Sequence, residues 1–126
     1  MQKCILTDLV SAFNLRNFAR ASSMASEGLL HAQGRDEVFW MGLGDACEGF
    51  RHLMAGDEER AEHHMIAAMQ NLRNFGFSHD GFQVTTLLAG IRRSVEEMRV
   101  VKAQEKRIFD VTLLPQLKLV ETQANV

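Results

Sequence analysis

Three residues near the middle of the chain have the types and the spacing that could bind a cation or exchange a proton. Asp45, Glu48 and His52 follow one another at intervals of three and four residues. On a helix these intervals bring the side chains to one strip of the surface. Carboxylates and imidazole bind divalent metal ions, and imidazole also exchanges protons near neutral pH. The alternative is a solvated helix flank on which Glu48 and His52 form an ion pair.

We expect neither a resident metal ion nor a cofactor, because the sequence identifies no further ligands around this strip. A second polar group does follow in the next segment, formed by Glu59, Glu62, His63 and His64. Bundles that hold two metal ions need Glu-x-x-His on two helices, with the side chains pointing inward. Here Glu48 and His52 are four residues apart, as are Glu59 and His63. A two-metal centre is therefore not predicted.

Other catalytic arrangements are also absent from the sequence. Ser22, Ser23, Ser26 and Cys47 lack the strand-to-helix turn that exposes a nucleophile. Glycines recur at every seventh position at Gly42, Gly49 and Gly56. No phosphate-binding motif accompanies them, so the spacing indicates close approach of a neighbouring helix. We interpret both sets of small residues as packing positions.

The composition is typical of one globular domain. The chain has 126 residues, and its 14 basic and 16 acidic residues give a formal net charge of −2. This balance provides no field that would attract nucleic acid or an anionic membrane, and we predict neither partner. The basic residues of 92–107 alternate with glutamates, which is typical of a salt-bridged helix surface. Two cysteines without metal-ligand spacing, and no apolar run of membrane-spanning length, predict a soluble cytoplasmic protein.

The helices that would position these polar residues are predicted from apolar residues at helical spacing. The pattern predicts an all-α fold, an antiparallel bundle of about five helices. The first two helices are expected over residues 3–13 and 16–32. The next three have the clearest stripes. These comprise Phe39, Leu43, Ala46, Phe50 and Leu53; then Ala61, Met65, Ala68, Leu72 and Phe75; and finally Val84, Leu87 or Leu88, Ile91, Met98 and Val101.

Polar residues and glycines predict where these helices begin and end. Asp36 is expected to cap the third helix and Asp57 the fourth. A capping-box-like pattern from Asp80 to Gln83 is expected to open the fifth, which should continue to Lys102 or beyond, with cations over residues 102–107. The connections are short, so neighbouring helices should be antiparallel.

The last part of the chain is predicted to be an apolar arm. Pro115 interrupts a segment that is too apolar for a free tail, with Leu113, Leu114, Leu117 and Leu119. We divide the chain into a helical domain over residues 1–110 and an arm over residues 111–126. The arm should lie extended over the bundle or on a partner, with residues 121–126 frayed.

Four features of the chain form a pattern: Phe13-Asn14 with Phe18, the run Phe39-Trp40-Met41-Gly42-Leu43, His52, and Gly56-Asp57 leading into Ala61. This pattern resembles that of the domain of unknown function 309 family, small all-helical bacterial and archaeal proteins. The resemblance spans residues 12–98 and implies the helical fold. It implies no activity, because none is established for that family. Where the family has His, Glu and a later Glu in its first motif, this chain has Ser22, Ser23 and Ser26.

Two functions of different classes remain open. The first is a non-enzymatic helical module for protein interaction or self-association, with Trp40 and the four arm leucines, Leu113, Leu114, Leu117 and Leu119, at the interface. The hairpin around Trp40, Leu43 and Gly44 resembles one tetratricopeptide-type unit, which favours this class. The alternative is a small-molecule or metal-binding protein, or a weak enzyme, that uses Asp45, Glu48 and His52 at a pocket beside the serine-rich second helix.

Overall fold

The structure is a computed structural model that describes residues 2–103 and 109–120. Within these residues the chain forms five α-helices: α1 (Gln2–Asn14), α2 (Phe18–Leu30), α3 (Arg35–Met54), α4 (Glu58–Leu72) and α5 (Val84–Ala103). Between α4 and α5 lies a small hairpin of β1 (Ser78–His79) and β2 (Phe82–Gln83), and a 3-10 turn covers Val111–Leu113. Each helix packs on the next one along the chain. The predicted all-α class is confirmed.

The predicted apolar stripes form the core. All the predicted stripe residues of α3 and α4 are buried, and so is Phe75, which follows α4. In α5 the buried stripe residues are Val84, Leu87, Ile91 and Met98, whereas Val101 is half-buried. The first three helices meet at an aromatic cluster, where the ring centroid of Phe13 lies 5.0 Å from that of Phe18 and 5.3 Å from that of Phe50. Edge-to-face contacts of this kind add to the stabilisation from burial.

Glycine allows α3 to approach both of its neighbours closely. A side chain at Gly42 would meet Leu72 of α4, and one at Gly49 would meet Met65. On the other side, Gly28 of α2 faces the indole ring of Trp40. The prediction that Gly42 and Gly49 mark close helix approach is confirmed. Gly56 instead lies in the turn before α4, with a φ of 85°.

One of the two predicted helix caps is correct. The carboxylate of Asp57 accepts a hydrogen bond from the backbone N–H of Arg60 at 3.1 Å and caps α4. The prediction for Asp36 is wrong, since Gly34 occupies the N-cap position of α3 and Asp36 lies inside the first turn. Its carboxylate binds His79 of β1 instead. A contact between distant parts of the chain thus replaces the expected local cap.

The predicted capping box from Asp80 to Gln83 is also wrong. These residues form the tip and second strand of the hairpin, in which Ser78 pairs with Gln83 and His79 with Phe82. Asp80 and Gly81 have φ values of 51° and 82°, the left-handed backbone that two-residue hairpin turns require. Helix α5 therefore begins at Val84 rather than at the Asp80 turn.

The described part of the arm packs on the same chain. Leu119 forms a single antiparallel bridge with Phe82 of β2, and the N–H of Gln83 donates to the carbonyl of Lys118 at 3.0 Å. Pro115 packs against Gly90 of α5, while the side-chain amide of Asn14 exchanges two hydrogen bonds with the backbone of Leu117. Residues 111–113 form a 3-10 turn, so this part of the arm is not extended as the sequence predicted. The predictions for residues 104–107 and 121–126 lie outside the described residues.

Among the helices of the described residues, none is both long enough and apolar enough to cross a membrane.

Candidate metal centre

The three residues that the sequence singles out lie together on α3, between α2 and α4. Asp45, Glu48 and His52 are all half-buried, so each is partly shielded from water and still reachable. They do not act as one group. Glu48 contacts α2 through Ser22, whereas Asp45 contacts α4. The strip on α3 is therefore the middle of a polar layer that joins three helices.

Glu48 is held in its ionised form by its hydrogen-bond donors. Arg51 donates from Nε to Oε2 at 2.9 Å and from Nη2 to Oε1 at 2.8 Å, and the Ser22 hydroxyl donates to Oε2 at 2.7 Å. The Arg51 hydrogen bonds, opposed by partial burial and helped by Ser22, lower the pKa of Glu48 to about 2. Glu48 therefore presents a carboxylate rather than a carboxylic acid throughout the physiological range of pH.

His64 of α4 completes a group of three possible metal ligands. One ligand atom from each of Glu48, His52 and His64 lies within 4.8 Å of the other two. Nε2 of His52 is 3.7 Å from Oε1 of Glu48. The rings of His52 and His64 are stacked almost in parallel, with centroids 5.4 Å apart and an angle of 7°. Two imidazoles and one carboxylate thus face the same small volume.

Asp45 fixes the orientation of His64. Nδ1 of His64 lies 3.1 Å from Oδ1 of Asp45, and the Asn71 amide donates to Oδ2 at 3.2 Å. An ionised carboxylate only accepts hydrogen bonds, so Nδ1 carries the hydrogen and Nε2 of the neutral ring presents its lone pair. A carboxylate behind a histidine in this way is the usual support for a metal-bound imidazole. Asp45 is therefore a positioning residue, not a ligand.

The donor set favours a transition metal. Imidazole nitrogen with carboxylate oxygen suits Zn²⁺ and the neighbouring divalent ions of the first transition row, and it suits Ca²⁺ or Mg²⁺ poorly. Cys47 lies next to Glu48 in the sequence, but burial raises the pKa of its thiol. Burial therefore disfavours the thiolate, and Cys47 is not among the three residues whose ligand atoms converge. Three protein ligands leave at least one coordination position free.

A groove between α2 and α3 borders this centre. Its cavity of about 250 Å³ is lined by Ser22, Ala25, Ser26, Leu29, Trp40, Met41, Gly44, Asp45 and Glu48. One end is polar and shares Glu48 with the centre, whereas the other end is apolar. Gly44 lies opposite Ala25, so the groove is shallow where the two helices approach.

The sequence predicted the α3 residues, and it placed His64 only in a separate polar group on the next helix. It did not predict that His64, Asn71 and Ser22 would lie beside them. His64 and Asn71 were recognisable in one respect: His64 lies three residues after Ala61 and four before Ala68, and Asn71 lies three after Ala68, so both flank the buried stripe of α4. Nothing local marks Ser22 as the partner of Glu48. Their pairing depends on the packing of α2 on α3.

The five predicted interface residues lie largely inside the fold. Trp40 is 3% exposed against Gly28, and Leu114 and Leu117 are 6% and 4% exposed. Leu113 and Leu119 are half-buried. Their apolar character is explained by packing within the chain, and a partner could reach Trp40, Leu114 or Leu117 only by displacing that packing.

Comparison with protein-family models, with curated proteins and with solved structures finds no match to this chain. The resemblance to the domain of unknown function 309 family stays a prediction. In the structure Ser22, which the resemblance would place at the histidine position of that family's first motif, donates its hydroxyl hydrogen to Glu48.

Proposed function

We propose that this protein binds a divalent transition-metal ion, with Zn²⁺ as the best fit, through Glu48, His52 and His64. The observation that carries the proposal is the convergence of these three side chains, each with a ligand atom within 4.8 Å of the others. The expectation that no metal is bound rested on a lack of further ligands and of supporting hydrogen bonds. His64 provides the first, and Asp45 with Asn71 provides the second.

The ligand atoms need only a small movement to bind a metal ion. Bonds of about 2.0–2.1 Å in a tetrahedral arrangement place neighbouring ligand atoms about 3.3 Å apart. Nε2 of His52 and Oε1 of Glu48 are already 3.7 Å apart. The rings of His52 and His64 lie on adjacent helices, and their side chains are 13% and 29% exposed. Because Asp45 holds His64, we expect the His52 side chain to make the movement.

The test is a titration with Zn²⁺ by isothermal calorimetry in a Cys4→Ser background, which removes the exposed thiol. We expect His52→Ala and His64→Ala each to bind one Zn²⁺ ion fewer per chain than this background protein, with helicity unchanged by circular dichroism. His63→Ala is the matched control, since His63 is exposed and outside the ligand group. Equal binding in all four proteins, or none at micromolar Zn²⁺, contradicts the proposal.

A second candidate is a helical module for protein interaction or self-association, which needs no catalytic activity. The groove between α2 and α3 favours this candidate, because apolar side chains are exposed there. Met41, which lines the groove with Leu29, is 47% exposed, and Leu30, which follows Leu29 in the chain, is 82% exposed. Antiparallel helix pairs packed in sequence offer such grooves to a peptide or helix.

The free cysteines Cys4 and Cys47 fit a reducing compartment such as the cytoplasm.

Native mass spectrometry tests the self-association form of this candidate. A dimer that dissociates in Met41→Glu supports it, with the exposed Val38→Glu as the control on the same helix. If the protein stays a monomer when its concentration is raised about 100-fold from the micromolar range, self-association is contradicted. That outcome leaves the metal centre unaffected.

A further inference from the structure

A second group of possible ligands lies where the hairpin meets the start of α3. Nε2 of His79 is 2.8 Å from Oδ1 of Asp36 and 3.5 Å from Oδ2 of Asp80. One ligand atom from each of the three residues lies within 4.8 Å of the others. Asp36 belongs to α3, His79 to β1 and Asp80 to the hairpin turn. Two carboxylates and one imidazole nitrogen therefore meet at a point that joins distant parts of the chain.

Aromatic packing fixes the direction in which His79 points. The centroid of its ring lies 4.5 Å from that of Phe39 and 5.0 Å from that of Phe75, both of which are buried. The imidazole is 19% exposed, while the Asp80 carboxylate is 66% exposed. The ring thus has a fixed orientation with Nε2 toward the two carboxylates, and the group is open to solvent on the Asp80 side.

We infer that Asp36, His79 and Asp80 form a second, independent site for a divalent cation, one that accepts both oxygen and nitrogen ligands, such as Mn²⁺. The two carboxylates match the charge of the ion, and the single imidazole disfavours Ca²⁺ and Mg²⁺. This inference goes beyond the proposed function, because it shares no residue with the centre on α3 and α4. A bound ion would link the hairpin to α3 and stabilise that junction by mass action.

Without a metal ion, Nε2 of His79 donates a hydrogen to Oδ1 of Asp36, and a bound ion would take the place of that hydrogen. The experiment must separate these two cases. Mn²⁺ is paramagnetic and broadens the amide signals of nearby residues, so two-dimensional NMR of the full chain locates where it binds. We expect substoichiometric Mn²⁺ to broaden the amides of residues 35–37 and 78–81. In His64→Ala, which lacks a ligand of the first centre, the same signals should broaden.

Asp80→Asn is the decisive variant. Asparagine tolerates the left-handed backbone of this turn, so the hairpin should be retained. We expect the broadening of residues 35–37 and 78–81 to require roughly tenfold more Mn²⁺ or more. Glu37→Gln, which removes an exposed carboxylate next to Asp36 but outside the group, should keep the original response. Undiminished broadening in Asp80→Asn, or none at tenfold excess Mn²⁺ over the native protein, overturns the inference and leaves an ion pair.

Discussion

Arg51 holds Glu48 by both carboxylate oxygens, with Nε 2.9 Å from Oε2 and Nη2 2.8 Å from Oε1. Oε1 is also the oxygen that lies 3.7 Å from Nε2 of His52. The oxygen nearest the proposed metal centre is therefore already engaged by a guanidinium. Arg51 and a metal ion compete for the same atom.

Arg51→Met should strengthen metal binding, because it removes this competing cation from Glu48. An exposed ion pair is weak, so Zn²⁺ affinity should rise only about twofold to fivefold. Competition with a Zn²⁺-sensitive dye measures the change. Arg60→Met, which removes an exposed guanidinium paired with Asp57, should leave the affinity unaltered. Weaker binding in Arg51→Met contradicts the competition.

The stability contributed by Glu48 should depend on pH in a defined window. Its pKa in the folded protein, about 2, is below the ordinary value of 4.5, so the contribution is complete above pH 4.5 and is lost as pH falls toward 2. Urea denaturation of the native protein and Glu48→Gln should therefore show a difference in unfolding free energy that shrinks over this range. Because Arg51 is exposed, we expect a change of about 1–2 kcal/mol. A difference that stays constant from pH 5 to pH 2 contradicts this assignment.

Gly28 and Gly44 provide a matched pair of substitutions within helices. A Cβ atom at position 28 would collide with the indole ring of Trp40, which is buried and cannot easily move. Gly28→Ala should cost about 1–3 kcal/mol of unfolding free energy. At Gly44 the added atom would lie 3.6 Å from Cβ of Ala25, an ordinary contact. Gly44→Ala should be neutral or stabilise by up to about 1 kcal/mol, and thermal denaturation compares the two variants.

Asn14 should control how firmly the arm is held. Its amide donates to the carbonyl of Leu117 at 3.0 Å and accepts from the Leu117 N–H at 2.7 Å. Asn14→Ala leaves both backbone groups unpaired and should cost about 1–3 kcal/mol. Hydrogen exchange of the Leu117 amide should accelerate accordingly. Gln116→Ala, at an exposed neighbouring position, should leave that exchange rate unchanged.

Much of the fold could be predicted because it depends on interactions between residues close in the sequence. The buried stripes of α3 and α4 follow from spacings of three and four residues. The Asp57 cap depends on a backbone N–H only three residues away. Gly42 and Gly49 indicate close approach without revealing the neighbour, which is α4.

The incorrect predictions concern residues whose partners are distant. Asp80 and Gln83 have the spacing of a capping box, and Asp80-Gly81 is equally typical of a hairpin turn. The structure has the hairpin turn, and Phe82 of the hairpin also pairs with the distant residue Leu119. Asp36 likewise finds its partner at His79, and Glu48 finds Ser22. The candidate metal centre could be predicted only in part for the same reason, since helix packing brings His64 of α4 to Glu48 and His52.

The contact between Asn14 and Leu117 links residues 103 positions apart, whereas each helix packs on its neighbour in the chain. During synthesis α1 can pair with α2, and α2 with α3, as each helix leaves the ribosome. The amide of Asn14 then has no partner until residue 117 has been added. Translation that stops before Pro115 would therefore yield a chain with its helices formed but with Gly90 and the end of α1 uncovered. The arm therefore covers the end of α1 only after residue 117 has been added.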